Sequence, residues 1–176
     1  MGAALGRLSP ASRLRRAIAL LFAAAALAAP AGHAAAGRKP VKASKASRME
    51  RAVVRCTNRE RARYGLARLH LNRVLRRAAE YHARNMLRYR FFSHDDPFGH
   101  GPPGRIRLFG NVHAYRWLGE NLATGYSSAA GACQGWMASV HHRANLLNPH
   151  FRLIGVGVAR SAGASYFVED LGAYRR

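Results

Sequence analysis

The chain has 176 residues, of which 49% are hydrophobic, and carries 29 Lys and Arg against 8 Asp and Glu, a formal charge of +21. This length supports one domain with a proper core, and two cysteines without a CxxC pairing leave no structural zinc knot. So basic a surface attracts polyanions, but its arginines lack the interleaved aromatics of a base-stacking platform, so no specific nucleic-acid partner is expected.

At the N-terminus, Arg13, Arg15 and Arg16 precede an apolar run from Ala17 to Ala29. That run is short of the roughly 20 residues needed to span a bilayer. Ala34, Ala35 and Ala36 supply the small residues of a cleavage site, so residues 1–36 read as a signal peptide. Its removal leaves 25 basic against 8 acidic residues, a formal +17, and Lys39, Lys42 and Lys45 are the sole lysines. Residues 37–46 read as a flexible basic leader, and the domain is expected over 47–176, as a monomer.

Ser47 is expected to cap a first helix that ends at Tyr64-Gly65. Asn72 opens a second, in which Leu75, Ala78, Ala79, His82 and Met86 form one core-facing stripe, with His82 read as a buried packing residue. Residues 91–104 are rich in Gly, Pro, Asp and His and read as loop, with Asp95 and Asp96 as turn formers. A helical turn over 105–109 and a short strand over 115–118 follow, the strand leading into Gly119-Glu120-Asn121. Ser127 or Ser128 caps a helix reaching Ala138, and Ala144 to Leu147 forms one more turn. Residues 154–159 and 166–171 read as an antiparallel hairpin. Helices before and after a small, mainly antiparallel sheet predict a sandwich of the segregated α+β kind rather than a parallel doubly wound fold.

Cys56 lies at helical spacing from Met49 and Val53, and Cys133 shares a face with Ala129 and Trp136. Export places both in an oxidising compartment, so a disulfide between the two helices is expected. The bland alternative is two buried thiols.

Three polar stretches stand out: Phe91-Phe92-Ser93-His94, Gly119-Glu120-Asn121 and His142-Arg143-Ala144-Asn145. Their two histidines and one carboxylate have the donor types of metal ligands or of acid/base groups. His141 is expected to be exposed, and Arg143 and Asn145 to hold their segment by hydrogen bonds. No nucleophile elbow, HExxH or phosphate-binding glycine loop is present.

The order of these motifs resembles the CAP superfamily (cysteine-rich secretory, antigen five and pathogenesis-related proteins) in its bacterial SCP-like branch. Thr57-Asn58-Arg59-Glu60-Arg61, Ala79-Glu80-Tyr81-His82 and Trp136-Met137-Ala138-Ser139 also carry the resemblance, as does Ile154-Gly155-Val156-Gly157-Val158. It covers roughly residues 49–172. It implies a three-layer αβα sandwich with a cleft lined by two histidines and two glutamates, in which zinc or another divalent metal can bind. His94, Glu120 and His142 match three of those positions. The second glutamate falls on Ser139, so one carboxylate is missing; Ser139, Asn121 and Asn145 would line the same cleft. Two imidazoles and one carboxylate could still bind zinc and leave a fourth position for water. If Glu120 instead orients a histidine, two protein ligands remain and affinity is low; this weak site is the favoured reading.

The resulting expectation is an exported protein that binds an anionic cell-envelope polymer or a lipid in this cleft, with a weak metal site and no established cofactor. The alternative is a metal-assisted envelope hydrolase, a protease or esterase using His94, Glu120 and His142, with Glu120 as the candidate catalytic base.

Overall fold

The computed structural model describes residues 44–175. The expected signal peptide and most of the basic leader lie outside the described residues. Helices α1 (Lys45–Arg63), α2 (Arg73–Tyr89), α3 (Pro102–Arg107), α4 (Ala129–Ala138) and α5 (Val140–Leu146) accompany four strands. These are β1 (His70–Leu71), β2 (Tyr115–Thr124), β3 (Leu153–Arg160) and β4 (Ser165–Tyr174). The sheet order is β1-β3-β4-β2. The β3–β4 hairpin and the β2–β4 pair are antiparallel, and the two-residue β1 joins in parallel. The fold is α+β, as its element order predicts.

Local signals set most boundaries. Asn72 caps α2 by accepting from the Leu75 amide, and Ser128 caps α4 by accepting from Gly131. Four expectations shift. Helix α3 starts at Pro102, inside the stretch read as loop, because proline fits the first turn of a helix. The cap of α1 is Ser44, not Ser47, which lies inside the first turn. Helix α5 starts at Val140, a turn earlier than its alanine content indicates, because Ser139 ends α4 and caps α5. Strand β2 continues through Gly119-Glu120-Asn121 to Thr124, because every residue from Trp117 to Thr124 finds a partner on β4.

The two faces of the sheet differ. Ile154, Val156, Val158, Phe167 and Leu171 meet Val53 of α1 and Trp136 of α4 in one core cluster. Trp136 is fully buried and its indole N–H donates to the Leu122 carbonyl at 2.9 Å, so its polar edge is satisfied. On the other face Ala79, Ala83 and Met86 of α2 pack on Leu122 and Val168. Gly155 and Gly157 also lie beneath α2: a Cβ on Gly157 would stand 2.2 Å from the backbone carbon of Ala79, and one on Gly155 2.1 Å from the Arg76 nitrogen. Glycine lets the helix backbone rest directly on the strand. Gly157→Ala is therefore expected to cost on the order of 2 kcal/mol, because a whole helix rather than one side chain must yield. Urea unfolding checks this, and an unchanged midpoint would show that α2 has room to move.

Cys56 and Cys133 form a disulfide between α1 and α4.

Candidate functional site

Glu120 lies on β2, an outer strand of the sheet, opposite Asp170 of β4. Strand alternation sends Glu120 and its neighbour Asn121 to opposite faces. The Glu120 side chain is almost wholly buried, and both of its oxygens are occupied. Oε1 pairs with His94 Nδ1 at 2.8 Å, and Oε2 accepts from Arg105 Nη2 at 2.5 Å. Burial alone would raise the Glu120 pKa; the hydrogen bond from His94 and the Arg105 charge outweigh it and hold the carboxyl below its ordinary value. Glu120 is thus a carboxylate.

Arg105 is the part of this arrangement that sequence reasoning missed. It sits fully buried on α3, and its Nη1 donates at 2.7 Å to the carbonyls of both His94 and His100. One guanidinium therefore fixes the 94–100 loop and neutralises Glu120. No local pattern marks Arg105 among the chain's many arginines. Asp96 completes the loop, accepting from the amides of Phe98 and His100, so it is a turn former as expected. His82 is buried, as its place in the α2 stripe indicates, and its Nε2 pairs with the Ser93 carbonyl at 2.9 Å. That bond anchors the residue before His94.

His94 remains half-exposed. Its Nδ1–H donates to Glu120, so in the neutral ring the lone pair lies on Nε2. The bond to Glu120 raises the pKa of His94, partly opposed by burial.

His142 belongs to α5. Its amide is capped by Ser139 Oγ at 3.5 Å, and its carbonyl accepts from Asn121 Nδ2 at 3.2 Å. Burial, then the charges of His94 and the exposed His141, lower its pKa, so the imidazole is neutral at pH 7. Asn145 Nδ2 donates to the Glu120 carbonyl at 3.2 Å and to Asn121 Oδ1 at 3.0 Å, while Arg143 donates to the Met137 carbonyl. Both residues hold their segment, as expected. Ser139 serves as the hinge between α4 and α5.

The structure joins His94 to Glu120 directly, and His142 to the same strand through Asn121 and Asn145. Among the described residues, no three His, Cys, Asp or Glu side chains are placed to hold one metal ion. His94 through Nε2 and His142 are the imidazoles whose donor types could serve a metal, and Glu120 holds the first ring by Nδ1.

A second polar centre lies on the opposite face of the sheet and was also missed. Glu169 is fully buried, accepting from Thr57 Oγ1 at 2.5 Å and from Asn121 Nδ2 at 3.0 Å. Burial pushes its pKa up to about 7, against the lowering effect of those two bonds and of Arg61. Arg61, fully buried itself, donates to the carbonyls of Ala67, Leu146, Asn148 and Phe151. It ties the end of α1 to the segment that follows α5.

A family model described as the cysteine-rich secretory protein family, CAP, matches residues 54–171. The YkwD protein of Bacillus subtilis is 36% identical over 118 residues, 67% of this chain and 45% of that protein. An extracellular Bacillus anthracis protein containing an SCP domain superposes with a TM-score of 0.65 at 28% identity, covering 74% of this chain and 41% of the other. An outer surface protein of Borrelia burgdorferi gives the same TM-score at 21% identity, over 71% of this chain and 92% of that one. The chain spans less than half the length of the Bacillus subtilis relative.

Proposed function

The chain belongs to the cysteine-rich secretory protein (CAP) family, and on that premise we propose that it is an exported protein that binds a ligand of the cell envelope, a lipid or a polymer, at the His94–Glu120–His142 cleft. One observation carries the reading: both oxygens of Glu120 are already engaged, by His94 and by Arg105. A carboxylate so committed is an orienting group rather than a free general base. Its ion pair with a buried arginine keeps it ionised and fixed. Two imidazoles supported in this way would, in their neutral form, hold a divalent ion weakly. Bound there, the ion would offer a positive centre to an anionic headgroup or sugar acid.

Export is supported by the basic and apolar pattern of residues 1–36 and by a family relative described as extracellular. No helix among the described residues is long and apolar enough to cross a membrane.

Zinc calorimetry tests the site. Weak binding is expected, lowered at least about tenfold in Glu120→Gln, which retains the ring contact but loses the charge behind it. It should be absent in His94→Ala and in His142→Ala. Tight zinc binding that survives either histidine substitution would remove this assignment. Retention on anionic liposomes or wall fragments, falling as salt rises, checks the partner class. Peptide or ester turnover abolished by Glu120→Gln would instead favour the hydrolase.

A further inference from the structure

Away from the cleft, a groove of about 510 Å³ opens at the end of β2 and β4. Its walls come from three separate segments, and each contributes an aromatic ring beside an arginine: Trp117 with Arg116, His150 with Arg152, and Tyr174 with Arg175. All six residues are exposed. None of the chain's eight acidic residues lines the groove. Among the described residues, none of these three arginines is in a salt bridge.

The backbone builds this surface. Tyr115 pairs with Tyr174 and Trp117 with Ala173, so Arg116 is an extra residue in β2, a bulge at the sheet edge. In a regular strand, adjacent side chains point to opposite faces; here Arg116 and Trp117 both reach solvent. The rings are held rather than loose. His150 stacks on Trp117 with centroids 4.6 Å apart and planes 10° from parallel. Tyr174 lies against Tyr115, and its hydroxyl accepts from Asn72 at 2.7 Å. The guanidinium groups are oriented too: Arg152 donates to the carbonyls of Pro149 and Phe151, and Arg175 Nε to that of His113. Each retains further N–H groups for a ligand.

We propose that this groove is a binding site for an acidic polysaccharide, with a sugar ring against Trp117 and its carboxylates on Arg116, Arg152 and Arg175. A half-exposed indole with His150 stacked on it and the Arg116 guanidinium 6.0 Å from its ring centroid offers one platform, suited to one ring beside a cation. Guanidinium forks match carboxylates in pairs, and their positive field is uncompensated locally. A single-stranded nucleic acid would need successive open aromatic faces along its backbone, whereas here Trp117 and His150 cover each other and Tyr174 is backed by Tyr115. The groove takes from the envelope-binding reading only the class of polymer; its residues are separate from His94, Glu120 and His142.

The test is calorimetry on the full chain with an oligogalacturonate, an uncharged maltooligosaccharide of equal length and a single-stranded oligonucleotide as probes. Oligogalacturonate is expected to bind, to weaken with salt, and to lose about tenfold in affinity in Trp117→Ala and more in the Arg116→Gln, Arg152→Gln pair. The same affinity is expected in metal-free buffer, since the groove uses no metal. No oligogalacturonate binding, equal binding of the uncharged sugar, or undiminished binding in the arginine pair would each overturn the proposal. So would tighter binding of the oligonucleotide with the same dependence on Trp117. Envelope retention separates the two sites: loss in the groove variants alone supports this site and counts against the cleft, and loss in the cleft variants alone does the reverse.

Discussion

Removing the Cys56–Cys133 disulfide, by the paired substitution of both cysteines with alanine, is expected to destabilise the protein by roughly 4 kcal/mol. The bridge spans a sequence separation of 77 residues, so without it the unfolded chain regains a large loop's worth of conformations. That is a large share of the 5–15 kcal/mol that holds a typical domain together. On the order of 15 °C should be lost from Tm. The effect should also reach the cleft. Helix α4 ends at Ser139, which caps α5, and α5 carries His142 and Asn145. Loosening α4 from α1 therefore loosens the second imidazole. Calorimetric unfolding of the double variant, with zinc titration beside it, checks both. A Tm within a few degrees of the native protein's would mean that packing around Trp136 holds the helices unaided.

The second large effect is a dependence of stability on pH. Glu169 is protonated more readily in the fold, at about 7, than at its ordinary 4.5, because burial disfavours its charge. Below pH 4.5 the folded and unfolded chains both hold this proton and the contribution is fully present. As pH rises from 4.5 to 7, the unfolded chain releases the proton first, so stability falls. The total is roughly 3 kcal/mol, levelling above pH 7. Asp170 adds a slope of the same sign, since burial and the charge of Glu120 raise its pKa well above the ordinary 3.8. Glu169→Gln keeps the shape and can still pair with Thr57 and Asn121, but has no proton to lose. Urea unfolding between pH 4.5 and 8 should show its share of the slope removed, with the variant the more stable protein at pH 8. If the variant keeps the full slope, Glu169 is ionised in the fold and Arg61 compensates it.

Both effects act on the same short chain of contacts. Glu169 holds Asn121, Asn121 holds the His142 carbonyl, and Asn145 returns to Glu120. The ring of His94 and the segment of His142 are therefore positioned by groups on both faces of the sheet. The clearest departure from an isolated acid/base pair is Arg105, which occupies the second oxygen of Glu120.

Much of this was legible in the chain itself. Helix α2 follows from an apolar stripe at helical spacing and an asparagine cap; the β3–β4 hairpin follows from two β-rich runs around a small-residue turn. Such signals are written within a few residues, because helix and strand periods and caps are local. The motif order likewise pointed to His94, Glu120 and His142. The sequence does not reveal what surrounds them. Arg105 reaches Glu120 across 15 residues, Thr57 reaches Glu169 across 112, and the aromatic–arginine groove collects three segments. Whether a charged residue is solvated or buried against its opposite depends on which distant segment packs beside it, and packing decides that only when the whole sheet is assembled. The sequence by itself determined the helices and the hairpin, and its motif order nominated His94, Glu120 and His142 as candidate site residues. The tertiary structure decided what each of them faces, and set both oxygens of Glu120 against His94 and Arg105 because α3 and the 94–100 loop pack beside β2.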